Sequence, residues 1–232
     1  MTVSGPPPLL EIRDLRKSYI SPDGLSSPVI DIAEFRLDPG EQVALRGGSG
    51  SGKTTLLNLI AGILAPDSGE IRLSGENIAA LSESKRDALR AKLIGYIFQT
   101  FNLLQGFSAL ENVALGMLFG GGTDGARARH LLERVGLKDR MNYRPRQLSV
   151  GQQQRVAIAR AVANRPKLVL ADEPTGNLDA RNATEALGLI REVCRESGAA
   201  LLVVSHDPDV LGRFERQVDL AAINRAAEGV AP

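Results

Sequence analysis

The chain contains no tryptophan, a single cysteine and only 4% aromatic residues. With Cys194 alone there can be no intrachain disulfide framework, and a reduced compartment is the simplest setting. The scarcity of aromatics argues against base stacking as a way of gripping single-stranded nucleic acid. An excess of one charge is also missing. The 28 Lys+Arg against 27 Asp+Glu leave a formal charge of +1, so there is no footprint for a polyanion and no charged tail. Long apolar runs are absent as well. Leu168–Ala171 and Ala199–Val204 are among the longest, far short of the ~20 residues a spanning helix needs. The start MTVSGPPPLL has neither a basic n-region nor an apolar h-region and does not read as a signal peptide. Residues 1–8, with Pro6–Pro8, are expected to form a flexible leader.

What is present is a chain of 232 residues with 43% hydrophobic content. That is enough for a real core in one domain, or one domain with a lobe. No internal repeat appears. The first third alternates like strands: Leu10–Arg13 and Val29–Leu37, the latter expected to set Val29, Asp31, Ala33 and Phe35 on one face. Gln42–Arg46 reads as a short buried strand, Thr54–Ala61 as a helix stopped by Gly62, and Glu70–Leu73 as a strand before a Ser74-Gly75 turn. Ser84–Lys92 reads as a helix and Leu93–Phe98 as a strand. From about 100 to 164 the pattern becomes helical, over Ser108–Leu118, Ala126–Val135 and Gly151–Ala163. Strand–helix alternation then resumes with Leu168–Ala171, Asn182–Glu196 and Ala199–Val204. Such alternation implies an α/β fold with a parallel sheet, here interrupted by a helical insertion.

Residues 47–54, GGSGSGKT, match G-x-x-x-x-G-K-[ST] and lie between a strand and a helix, the context this phosphate-binding loop requires. The backbone of Gly47, Gly48, Ser49, Gly50, Ser51 and Gly52 is expected to cradle phosphate oxygens at the positive end of the following helix. Lys53 can reach the β- and γ-phosphates, the Thr54 hydroxyl can ligate Mg²⁺, and Thr55 adds a phosphate contact. A flexible Gly/Ser loop would share the composition but not the whole pattern. The N-K-x-D signal for guanine is absent, which favours ATP. Residues 168–173, LVLADE, run a buried strand into two acids, and ligands of open α/β sheets bind at the carboxyl ends of strands. Asp172 is expected to support Mg²⁺ and Glu173 to act as general base on the attacking water.

Residues 148–154 read LSVGQQQ, and Ser149-x-x-Gln152 fits a capping box at a helix start. With the two preceding segments, the chain resembles the ATP-binding cassette family, the nucleotide-binding subunits of ABC transporters, from about Leu9 to Asp219. The resemblance implies a P-loop NTPase (RecA-like) core with an N-terminal antiparallel β-subdomain and an inserted α-helical subdomain, one ATPase domain over 9–220 and a tail over 221–232. It implies that Gln99 contacts Mg²⁺ and water, that His206 contacts the γ-phosphate, that Tyr19 stacks on adenine and that Asp179 belongs to the D-loop. It also implies paired cassettes, in which Ser149, Gly151 and Gln152 reach the ATP held by the other copy; a homodimer and a heterodimer both fit. Val150 departs from the usual LSGGQ, and the end of the chain lacks the usual D-G hairpin.

IFQTFNLLQGFSALENV, ADEPTGNLD and SHDP are similar to the lipoprotein-releasing and macrolide-export branch of the family. That implies a separate permease with few spanning helices and large extracytoplasmic domains. It places the chain at the cytoplasmic face of the cell membrane, with no nucleic-acid partner. A soluble ATPase of this family acting on DNA or ribosomes is the alternative. It fits poorly, because residues 55–167 hold no long coiled coil and the chain holds one cassette. A non-hydrolysing clamp is the third reading, and an intact Glu173 speaks against it.

Overall fold

The computed structural model describes residues 7–226. Most of the expected leader and the last residues of the expected tail lie outside them. In chain order the elements are β1 (Leu10–Ile20), β2 (Ser26–Leu37), β3 (Gln42–Arg46), α1 (Lys53–Ile60), β4 (Ser68–Leu73), β5 (Glu76–Asn77), α2 (Glu83–Leu93) and β6 (Ile94–Ile97). There follow α3 (Ala109–Leu118), α4 (Gly125–Arg134), α5 (Val150–Ala161), β7 (Leu168–Asp172), α6 (Ala180–Ser197), β8 (Ala200–Ser205), α7 (Pro208–Leu211), β9 (Arg216–Asp219) and α8 (Leu220–Ile223).

Two sheets form, one antiparallel in the order β2-β1-β4-β5 and one of five strands in the order β6-β7-β8-β3-β9. In the second sheet all four strand pairings are parallel. Strands buried on both faces read as unbroken apolar runs, and β7 and β8 do. Period two then assigns their side chains to opposite layers. Leu168 and Leu170 join Val43, Leu45, Leu202 and the α1 leucines in one cluster. Val169 and Ala171 join Ala44, Leu201 and the helical lobe in the other. The parallel sheet is thus a wall between two cores. α1 lies in the first core, between the parallel sheet and the antiparallel one, which fixes its N-terminus over the carboxyl end of β3.

The face expected for β2 is corrected. The structure buries Ile30 and Ile32, then Phe35 and Leu37, so the phase flips at Ala33–Glu34. The cause is in the neighbouring strand. Asp14 takes a left-handed φ of 48°, and β1 breaks register with β4 between Arg13 and Arg16. The bulge adds a residue to β1 opposite β4, the buried positions of β1 change phase there from Ile12 to Leu15, and β2, in register with β1 across this point, changes with it.

The last described residues dock instead of trailing away. After β9 the chain forms the short helix α8 in place of a hairpin, and Asn224 is buried against β2. Its Oδ1 accepts from the Asp31 N–H at 2.7 Å, and its Nδ2 donates to the Val29 carbonyl at 2.8 Å. Removing this amide leaves two polar groups of β2 short of a partner. Asn224→Ala is therefore expected to cost about 1–3 kcal/mol, read as a fall in Tm of roughly 2–10 °C.

Candidate functional site

The chain leaves β3 and turns through residues 47–52 into α1. Gly52 has φ +91°, and a Cβ there would stand 3.0 Å from the Val29 carbonyl oxygen and from Ile30 Cδ1. A side chain is thus excluded twice, by the left-handed backbone and by the edge of β2. A Cβ at Gly47 would stand 2.6 Å from Ser51 Oγ. The loop curls around the Lys53 ammonium, which donates to the carbonyls of Gly47 and Gly48, each at 2.8 Å. Ser51 Oγ is buried with no hydrogen-bond partner among the described residues. The first turn of α1 carries no acidic residue, so its positive end is not neutralised by the chain itself.

Opposite the loop, β7 ends in Asp172, and Glu173 follows it. Thr54 Oγ1 donates to Asp172 Oδ2 at 2.8 Å. Burial raises the Asp172 carboxyl above the usual carboxylate range; the Thr54 hydrogen bond opposes this, the neighbouring Glu173 charge adds to it and the Lys53 charge opposes it. The ionised form of Asp172 is therefore less favourable in the fold than in the unfolded chain. That penalty is present above its raised folded pKa and disappears as pH falls from there toward the ordinary range. Asp172→Asn keeps an acceptor for Thr54 and removes the charge. It is expected to raise Tm at neutral pH while lowering ATP turnover, and the Tm difference is expected to close on acidification, as thermal unfolding at several pH values would show.

Glu173 adopts φ +42°, and its N–H donates to the Val204 carbonyl at 3.0 Å. Its carboxylate is held from two sides. Ser205 Oγ donates to Oε2 at 3.1 Å, and His206 Nδ1 lies 2.7 Å from Oε1. The Lys53 ammonium stands 3.5 Å from the same Oε1. Asp172 and Glu173 are each only 8% exposed, so these contacts act in a poorly solvated setting.

One cleft of about 580 Å³ gathers most of the residues expected from sequence. Gly48, Ser49, Gly50, Gly52, Lys53, Thr54 and Thr55 line it from the loop and α1. Gln99, Asp172, Glu173 and His206 line it from the strand ends. Tyr19, near the end of β1 and 42% exposed, lines it too. Gly47 and Ser51 belong to the loop but not to the cleft wall.

Ser149, Gly151, Gln152 and Asp179 are not on the cleft wall. Ser149 caps α5 through a complete capping box with Gln152: its N–H donates to Gln152 Oε1 at 3.0 Å and its Oγ accepts from the Gln152 N–H at 3.3 Å. Asp179 caps α6, accepting from the Asn182 N–H at 3.0 Å, and these bonds hold its carboxyl below the usual range. Gly151 lies against Asn182, 3.4 Å from its Oδ1 to an added Cβ, so the two helix starts are neighbours. Val150 occupies the first helical position, is 48% exposed and has no positive φ. The replacement of the usual glycine therefore puts no strain on the backbone.

Ser205, Val29 and Gln154 were not read from the sequence. Ser205 immediately precedes His206 at the end of an apolar strand, which is the signal that locates it. Val29 lines the cleft beside Tyr19 because β2 pairs with β1. Gln154 is fully buried and donates to the Pro174 carbonyl at 2.7 Å. Helical spacing places it with Ala157, Ile158 and Ala161 on the buried face of α5.

The sequence model of the ABC transporter family matches residues 30–176. The chain is 45% identical over 216 residues to the lipoprotein-releasing system ATP-binding protein LolD of Shewanella sp. strain MR-4, covering 91% of this chain and 93% of that protein. It belongs to the ATP-binding subunits of ABC transporters. LolD of Shewanella oneidensis is 44% identical over 215 residues, with the same coverage. Among solved structures, the cassette resembles the dimeric post-hydrolysis state of the ATP-binding cassette MJ0796 bound to ADP and Pi. The TM-score is 0.82 at 34% identity, covering 90% of this chain and 93% of that one. A second dimeric structure of MJ0796, described as a bacterial ABC transporter cassette, matches with TM-score 0.82 at 35% identity. The cassette is accordingly a nucleotide-binding transporter ATPase on a P-loop NTPase fold. The reading as a DNA- or ribosome-directed ATPase finds no support in any of these relatives.

Proposed function

We propose that two copies of this cassette close on ATP, hydrolyse it at their interface and drive a separate membrane permease of the lipoprotein-releasing type. The observation that carries the catalytic part is the Glu173 carboxylate, fixed by Ser205 and His206 and set 3.5 Å from the Lys53 ammonium at the phosphate loop. Lys53 and the loop amides bind the β- and γ-phosphates, with Thr55 beside them, and Tyr19 stacks on the adenine. Glu173 orients the attacking water and accepts its proton. His206 holds that carboxylate in place and faces the γ-phosphate.

Thr54, Asp172 and Gln99 offer only oxygen donors, the set a hard cation takes when it arrives with a nucleotide and keeps some of its water. Bound Mg²⁺ would neutralise charge on the β- and γ-phosphate oxygens. The Thr54–Asp172 hydrogen bond of 2.8 Å brings two of these donors together.

Ser149, Gly151 and Gln152 serve the ATP of the other copy, and Asp179 lies beside them. Support comes from the exposed, capped start of α5, whose positive end suits an anion, and from the dimeric relatives. The membrane path belongs to the permease, with the cassette at the cytoplasmic face. No helix among the described residues is long and apolar enough to cross a membrane. The names of the LolD relatives point to lipid-modified polypeptides as the permease's cargo.

The test uses purified Glu173→Gln, which should move from monomer to dimer mass on gel filtration when ATP is added. A monomer at saturating ATP would overturn the shared-site reading. From detergent-solubilised membranes the wild-type chain should bring down an integral membrane protein with few spanning helices. Recovery with ribosomes or DNA, and no membrane protein, would overturn the transport reading.

A further inference from the structure

Arg160, near the end of α5, is a largely buried cation with no carboxylate partner among the described residues. Burial lowers its pKa below the usual guanidinium value. An arginine at this point of a helix ordinarily serves its own last carbonyls. Here the fork points elsewhere: Nη1 donates to the Asn102 carbonyl and Nη2 to the Phe101 carbonyl, both at 2.6 Å.

The segment it grips is unusual. Phe101 and Asn102 both have left-handed φ, 62° and 49°. The Asn102 N–H donates to the Thr100 carbonyl at 2.7 Å, closing a three-residue turn of the rare kind with a positive φ at its centre. Two successive non-glycine residues in this region are costly and persist only when the surroundings hold them there. Arg160 supplies the hold from one side. From the other, Asn177 Nδ2 donates to the Gln99 carbonyl at 2.7 Å. The stem of Arg160 is confined as well: a Cβ at Gly116 would stand 2.6 Å from the Arg160 carbonyl and 3.1 Å from its Cγ.

We propose that Arg160 is a positioning residue, which fixes the loop carrying Gln99 to the helix capped by Ser149 of the LSVGQ segment. The proposal rests on the reading that Gln99 acts at the ATP cleft. Its consequence is that α5 joins two half-sites. Its start serves the ATP of the other copy, and its end sets where Gln99 stands in its own. The grip needs a planar fork to reach two adjacent carbonyls, which a lysine ammonium cannot reproduce.

The experiment measures phosphate release by the full chain for wild type, Gln99→Ala, Arg160→Lys and Arg160→Met, with circular dichroism and thermal unfolding to confirm the fold. Arg160→Met should lower kcat about 10- to 100-fold, the scale of a misplaced group. KM for ATP should stay within about twofold, because the loop and Tyr19 still bind the nucleotide. Arg160→Lys should fall between wild type and Met. A folded Met variant with wild-type kcat overturns the proposal. If the Met variant does not fold, Arg160→Lys decides: a lowered kcat at unchanged KM supports the fork, and a wild-type kcat overturns it. Gln99→Ala separates the two readings. If it leaves kcat unchanged, the assignment of Gln99 is what fails; if it lowers kcat while Arg160 variants do not, the fault lies with Arg160 alone.

Discussion

Glu173→Gln is expected to lower ATP turnover by about 10²- to 10⁴-fold, the usual contribution of a positioned general base. The change is nearly isosteric. Ser205 can still donate to the remaining side-chain oxygen, and the left-handed backbone at 173 is untouched. What disappears is the oxygen able to take a proton, together with the negative charge 3.5 Å from the Lys53 ammonium. Nucleotide affinity is expected to hold or to rise, since a carboxylate beside the triphosphate repels it. The signature of a lost base is therefore a collapsed kcat at unchanged or lower KM. Single-turnover phosphate release with a parallel titration of a fluorescent ATP analogue would show it. Turnover at the wild-type rate would remove Glu173 from the chemistry.

The second large effect is on stability and lies at Gly95, in the middle of β6. A Cβ there would stand 2.1 Å from the Ala161 carbonyl oxygen and 2.9 Å from its carbon, with Pro166 Cγ at 3.2 Å. The first two obstacles are backbone atoms at the end of α5, so no rotamer change relieves the clash. Either α5 withdraws from the sheet or β6 loosens its pairing with β7. Gly95→Ala is thus expected to cost about 3 kcal/mol or more, a Tm lower by roughly 10 °C. Gly188→Ala is the control. Gly188 lies within α6 with nothing within 4 Å of an added Cβ, and there the substitution should stabilise by about 0.5–1 kcal/mol. Thermal unfolding of both variants tests the pair, and equal Tm changes would contradict the packing argument.

The phosphate loop and the LVLADE strand were legible because their chemistry lies in contiguous residues, and a strand–loop–helix context accompanies them. The helices of the lobe were legible from period alone, and each stands within a residue or two of its expected bounds. The faces of β2 were not. Alternation predicts a face only while a strand keeps its regular pleat, and beside the left-handed Asp14 of β1 both strands change phase although they stay in register with each other. Nothing in Val29–Leu37 itself announces that bulge. The contacts around the cleft divide in the same way. The family resemblance implied His206 at the end of its strand, whereas its approach to Glu173 depends on β7 and β8 being neighbours. The grip of Arg160 on residues 101 and 102 has no sequence signature, because its acceptors are backbone carbonyls that every residue carries.

The Asn224 amide joins the far end of the described chain to Val29, 195 residues earlier in the sequence. The carbonyl it grips is the one that leaves no room for a side chain at Gly52. Sequence distance from the cleft is therefore a poor guide to what can be trimmed or fused. A chain ending at Asp219 would keep every cleft-lining residue and lose the clasp on the strand against which the phosphate loop is moulded. For anyone engineering this ATPase, residues 220–226 are therefore hazardous to remove, because the strand beside the phosphate loop loses its clasp with them.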